Sequence, residues 1–178
     1  MSSIDHQTPI VETAQAPRAP ALAERELRCA SEDDTLALAA ALAHSPALAN
    51  ATLTLHGDLG AGKTTFVRHL LRALGVSGRI KSPTYAVVEP HQAPPAPAWP
   101  EGLVVSHFDF YRFGDPREWE DAGFRDVFAA PGLKVCEWPE KAAGQLPPPD
   151  LQLFIELLPD DSRRVRAVGA AKLVEALS

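Results

Sequence analysis

The chain has 178 residues, 46% of them hydrophobic and 22% charged, and a formal net charge of −6 at pH 7. The length suits one domain with a sizeable core, the composition is that of a soluble globular protein, and the acidic balance argues against gripping nucleic acid through a basic surface of its own. No apolar run approaches a membrane span, the N-terminus with Asp5 and Glu12 is unlike a secretory signal, and Cys29 and Cys136 alone make neither a disulfide framework nor a metal-ligand spacing, so a cytoplasmic protein is expected.

Residues 1–24 are rich in Ala, Pro and polar residues without periodicity and predict a disordered extension, leaving 25–178 as a single domain with order beginning near Leu27. Ser31-Glu-Asp-Asp34 reads as an N-cap with acids in the first turn, opening a helix through Leu36, Leu38 and Leu42. The alternating run Ala51-Thr-Leu-Thr-Leu-His56 predicts a strand.

Directly after it, Gly57-Asp-Leu-Gly-Ala-Gly-Lys-Thr64 fits the phosphate-binding pattern G-x-x-x-x-G-K-[ST] at every fixed position. Gly57, Gly60 and Gly62 lack a Cβ, so the backbone N–H groups of the loop can converge on phosphate oxygens. Lys63 would reach the β- and γ-phosphates, and Thr64 would place its hydroxyl on Mg²⁺. The nucleotide-binding set is therefore Asp58, Leu59, Gly60, Ala61, Gly62, Lys63, Thr64 and Thr65. The loop feeds a helix over Thr65–Leu74, with Phe66, Leu70, Leu71 and Leu74 on one face and Gly75 as its stop. Strand, glycine-rich loop and helix are the context this motif requires.

Ser82-Pro-Thr-Tyr85 predicts a loop entering a strand at Tyr85–Val88, and the proline-rich stretch His91–Pro100 predicts a solvated loop excluded from any sheet interior. Strands are expected over Leu103–Phe110 and Leu133–Trp138, with an acidic helix around Asp115–Asp121 and a short apolar turn at Phe124–Phe128 between them. Leu151–Leu157 and Arg163–Val168 read as a hairpin turning at Asp160–Ser162, and a last helix covers about Ala170–Leu177. Helices interleave with strands early and strands dominate late. The expected fold is α/β, a P-loop NTPase-like three-layer arrangement around a mixed sheet, parallel at its centre with antiparallel additions.

A P-loop enzyme needs a second group on the metal, usually a carboxylate at the end of a hydrophobic strand. Two predicted strands end that way, at Asp109 and at Glu137. One of them would hold Mg²⁺ while the other orients or activates the attacking group, which makes Thr64, Asp109 and Glu137 the candidate metal set and Lys63, Asp109 and Glu137 the candidate catalytic set. Thr84 offers a hydroxyl on a loop able to close over the γ-phosphate. His107 and Tyr111 share a strand face with Asp109 while Arg112 points away, toward Asp115 or Glu118 as alternatives to phosphate. Trp138 is expected in the core, beside the site.

The order Gly57 to Thr65, Ser82-Pro-Thr-Tyr85, His107-Phe-Asp-Phe-Tyr-Arg112 and Glu137-Trp-Pro-Glu140 resembles the TsaE (YjeE) family, small bacterial P-loop ATPases of the tRNA threonylcarbamoyladenosine pathway. The resemblance runs from about Leu27 to the C-terminus, and Asp115–Gly123 and Leu146-Pro147 also look like family segments. It implies slow hydrolysis of ATP with Mg²⁺ and work alongside TsaB and TsaD, which transfer the threonylcarbamoyl group to the adenosine beside the anticodon. The tRNA would be met only through that complex. By the same resemblance Lys63 and Thr64 hold phosphate and Mg²⁺, Asp109 supports the metal, Glu137 is an essential acid near the γ-phosphate, and Thr84 lies in a switch-like segment. The N-terminal extension and the longer proline-rich segment depart from the family pattern. A P-loop small-molecule kinase is the alternative reading. A GTP switch is disfavoured because no Asn-Lys-x-Asp guanine-reading motif is present.

Overall fold

The computed structural model describes residues 21–178; most of the expected extension lies outside them. Its last residues do not: β1 spans Leu22–Cys29 and pairs antiparallel with β7 (Arg163–Ala170) from Leu22↔Ala170 to Cys29↔Arg163. The strand hid from sequence reading because Glu24, Glu26 and Arg28 make it polar; its ladder with β7 is joined by Cys29 in the core and by Ala23 and Leu27 packed against it.

Helix α1 (Glu32–Ala43) starts where expected, on a reciprocal cap in which the Asp34 N–H donates to Ser31 Oγ at 3.4 Å and the Ser31 N–H donates to Asp34 Oδ2 at 3.0 Å. Strand β2 (Thr52–His56) leads into the phosphate loop, and α2 (Lys63–Ala73) begins two residues before its predicted start, so that Lys63 and Thr64 occupy its first turn. After β3 (Val88–Ala93) and β4 (Leu103–Asp109) come the short helices α3 (Pro116–Asp121) and α4 (Phe124–Ala129), the latter replacing the predicted apolar turn. Strands β5 (Leu133–Glu137), β6 (Leu151–Leu157) and β7 complete the sheet, and α5 (Ala171–Glu175) is shorter than predicted.

The seven strands run in the order β1-β7-β6-β2-β5-β4-β3. The β6-β2, β2-β5 and β5-β4 pairs are parallel, while β3, β7 and β1 add antiparallel edges. The mixed, centrally parallel sheet is therefore as expected. Val135 and Cys136 are neighbours that belong to different cores, as strand alternation requires. One core packs Phe66, Leu70 and Leu71 of α2 against Leu53, Leu55 and Val135. The other gathers Phe108, Phe110, Trp119 and Phe124 beneath α3 and α4. Each fully buried side chain of this size contributes roughly 1.5–3 kcal/mol.

The predicted strand at Tyr85–Val88 is displaced. Residues 84–86 form a turn, Val87 follows with φ +64°, and pairing begins at Val88 and continues through Pro90 to Ala93. The first residues of the proline-rich stretch thus belong to a strand, but an edge strand, where a proline's missing N–H is tolerated. The parallel arrangement brings the ends of β2, β5 and β4 together, with Leu55↔Glu137 and Asp109↔Glu137 in register. Ligands of open α/β sheets bind at this carboxyl edge.

The cap on α1 gives a first test. Ser31→Ala should cost about 1 kcal/mol, lowering the thermal midpoint by roughly 2–4 °C in a chain of this size. Circular dichroism melts of the two proteins measure this directly, and an unchanged midpoint would contradict the role of the cap.

Candidate active site

The loop after β2 is shaped by its glycines. Gly57 has φ +147°, and a Cβ there would stand 2.2 Å from the Ile155 carbonyl oxygen, so no other residue fits without moving β6. Gly62, with φ +113°, ends the loop and starts α2 without a side-chain cap. The N–H groups of Lys63, Thr64 and Thr65 in the first turn therefore have no intrahelical acceptor, and together with the helix dipole they favour an anion.

Lys63 is buried at 5% exposure. Its ammonium donates to the Gly57 carbonyl and, at 2.9 Å, to the Asp58 carbonyl, and lies 3.9 Å from the centre of the Trp138 ring. Burial holds its pKa below the ordinary lysine range, against the attraction of Glu137, Glu140, Asp109 and Asp58.

Opposite stand two buried carboxylates on adjacent strands. Glu137 accepts from Thr64 Oγ1 at Oε2 (2.7 Å), and its Oε1 lies 2.8 Å from His107 Nε2. Asp109 accepts from Ser82 Oγ and, at 3.1 Å, from Thr84 Oγ1, while its other oxygen accepts from the Tyr111 N–H at 3.0 Å. The Asp109 N–H donates to the Val87 carbonyl at 2.8 Å, which draws the 82–87 segment onto the end of β4. The resulting recess, about 270 Å³, is lined by Gly60, Lys63, Thr64, Thr84, Asp109 and Glu137 among others.

The structure brings together Lys63, Thr64, Thr84, Asp109 and Glu137 as expected from the sequence. Thr65, Gly62 and Leu59 also border the recess. Asp58 takes part through its main-chain carbonyl, Leu59 is 76% exposed at the tip of the loop, and Ala61 is buried. Three neighbours make contacts that the sequence did not specify. Ser82 shares Asp109 with Thr84; His107 engages Glu137 rather than Asp109; and Trp138, with φ +55°, turns its ring onto Lys63 and to within 4.9 Å of Tyr111. The alternation that put His107 on the face of Asp109 was the available signal for the second. Arg112 stacks on Tyr85 at 4.7 Å, and Asp115 pairs with Arg117 instead.

These residues suit a polyphosphate and a divalent cation: a buried ammonium and free helix N–H groups meet phosphate, and a hydroxyl already donating to a carboxylate has its lone pairs free for a metal. A family model described as threonylcarbamoyl adenosine biosynthesis protein TsaE matches residues 29–165. The chain belongs to the TsaE family. It is 40% identical over 119 residues to the tRNA threonylcarbamoyladenosine biosynthesis protein TsaE of Haemophilus influenzae, covering 67% of this chain and 70% of that one. It is 34% identical over 126 residues to the TsaE of Bacillus subtilis, covering 70% and 73%. The crystal structure of Bacillus subtilis YdiB superposes with a TM-score of 0.63 at 26% identity, covering 89% of this chain and 94% of that one. Among the described residues no helix is long and apolar enough to cross a membrane.

In this TsaE chain the buried ammonium has a cost visible without any ligand. Because the folded-state pKa of Lys63 is lowered, the unfolded chain binds more protons between the two pKa values, and stability rises with pH through that window. Ligand-free Lys63→Met should therefore melt above the parent at neutral pH, with the gap closing as the pH rises toward the ordinary lysine range. A Met variant less stable than the parent at pH 7 would show that the carbonyl contacts of the ammonium outweigh its burial.

Proposed function

We propose that this chain is a Mg²⁺-dependent ATPase that assists TsaB and TsaD in forming the threonylcarbamoyl modification of the tRNA adenosine beside the anticodon, in the cytoplasm, with ATP hydrolysis driving or resetting the cycle. The observation that carries the reading is the Thr64–Glu137 hydrogen bond, which joins the phosphate loop to the strand-end carboxylates in one recess. Membership of a family whose relatives are named for this pathway supplies the biological setting.

In this reading Lys63 and the first-turn N–H groups of α2 bind the β- and γ-phosphates of ATP and offset the charge that shifts onto them during transfer to water. Thr64, with Glu137 and Asp109, would hold Mg²⁺, which when bound neutralises phosphate charge and orients the terminal group. Thr64 directs its hydroxyl proton to Glu137, leaving its oxygen lone pairs toward the cation. Asp109 keeps Ser82 and Thr84 at the border of the recess, where they would help to position the attacking water. The recess needs no basic outer surface, so an acidic chain can supply the nucleotide step while its partners hold the tRNA.

Phosphate release from ATP should require Mg²⁺ and should fall roughly 10²–10³-fold in Glu137→Gln with nucleotide still bound; a colorimetric phosphate assay with calorimetry checks both. In a reconstitution with TsaB, TsaD and tRNA, repeated rounds of modification should need this chain and hydrolysable ATP. Equal multi-turnover yield without the chain, or with a non-hydrolysable analogue, would refute the reading. Transfer of phosphate to a small molecule instead of water would select the kinase alternative.

A further inference from the structure

His107 is completely buried and does not line the recess. Its Nε2 meets Glu137 Oε1 at 2.8 Å, while the other oxygen of the same carboxylate accepts from Thr64 Oγ1 at 2.7 Å. A carboxylate oxygen has only lone pairs to offer, so a neutral His107 in this contact carries its proton on Nε2 and leaves Nδ1 as an acceptor. That Nδ1 is buried and has no hydrogen-bond partner among the described residues. Beside it, on edge strand β3, stands His91, its ring centre 6.3 Å from that of His107 and its Nε2 also buried without a partner. Burial pushes His91 below the ordinary imidazole range against the pull of Glu89, so the ring is neutral and has one N–H to give. Two orphaned ring nitrogens on neighbouring strands are what a single buried water satisfies, donating to His107 Nδ1 and using its other sites for His91 Nε2, and buried polar atoms seldom go without such a partner.

We propose that His107 is a positioning residue for the phosphoryl-transfer site, a role that rests on the nucleotide reading above: its Nε2–H holds one oxygen of Glu137 so that the other stays on Thr64, and a water between His107 Nδ1 and His91 Nε2 fixes the tautomer that makes this possible. The line Thr64, Glu137, His107, water, His91 then runs from the phosphate loop across β5 and β4 to the sheet edge. Among the described residues His107 is the one hydrogen-bond partner of Glu137 Oε1, and without it the carboxylate can swing away from Thr64. Misplacement of a reacting group by about 1 Å costs on the order of a hundredfold in rate.

Ring ¹⁵N spectra of the ligand-free protein at neutral pH should show His107 protonated on Nε2 and bare at Nδ1; a proton on Nδ1 overturns the proposal whatever the protein's activity. In kinetics, His107→Leu should lower kcat for ATP hydrolysis about a hundredfold with KM changed by less than about threefold, and His107→Gln, whose amide N–H can reach the same oxygen, should recover to within about tenfold of the parent. A folded Leu variant with parental kcat, or a Gln variant no better than Leu, overturns it. Should the parent release no phosphate from ATP under any condition, the nucleotide reading fails, and the ring spectra still decide the hydrogen bond.

Discussion

A carboxylate at 1% exposure is the constraint around which this molecule is arranged. Taking the Glu137 side chain out of water costs several kcal/mol unless hydrogen bonds replace its hydration. The replacements come from two separate elements, Thr64 on α2 and His107 on β4. Both can reach it only if β5 lies between β2 and β4 and all three run parallel to a common end, which is the observed order. The fold and the site are thus linked at one residue. A slip of β5 by one position would turn Glu137 to the opposite face, leaving Thr64 and His107 without their acceptor.

The second carboxylate organises loops rather than strands. Asp109 is held by its own strand, yet its oxygens are met by Ser82, Thr84 and the Tyr111 N–H, all from the loops that flank β3 and β4. Val87 accepts a positive φ, costing of order 1–3 kcal/mol for a β-branched residue, and in return its carbonyl receives the Asp109 N–H. The strain is stored where the 82–87 turn meets the edge strand. A segment built from a few hydroxyl contacts and one strained residue is drawn from the low-stability end of a fold, which is where a loop that responds to the contents of the recess belongs.

Most of this was legible before any coordinates. The phosphate loop, both strand-end acids and Thr84 could be read because glycine spacing and strand alternation are local signals. What escaped reading was either non-local or masked by polarity. Strand β1 exposes Glu24 and Glu26, so only its pairing with β7, far along the chain, reveals it. Strand β3 contains Pro90 and follows Val87, and its edge position depends on β4. Ser82 and His107 were visible as residues, but their choice of carboxylate depends on the order of strands in the sheet, which no local pattern encodes. Trp138 was expected in the core beside the site; it packs at the edge of the second core, and a left-handed backbone at the end of β5 also turns its ring onto Lys63.

Charge balance ties these features together. The recess sets two carboxylates, Asp109 and Glu137, against one buried ammonium, Lys63. A nucleoside triphosphate entering alone would add several negative charges to a pocket already short of positive ones, at short range and away from solvent screening. The helix N-terminus offers only a fraction of a charge. In the proposed reading a divalent cation therefore does more than assist chemistry: it is what makes the phosphates and the carboxylates compatible in one space. Nucleotide affinity and cation affinity must then be coupled reciprocally, with Thr64 at the junction because its one hydroxyl serves the carboxylate through its proton and the cation through its lone pairs.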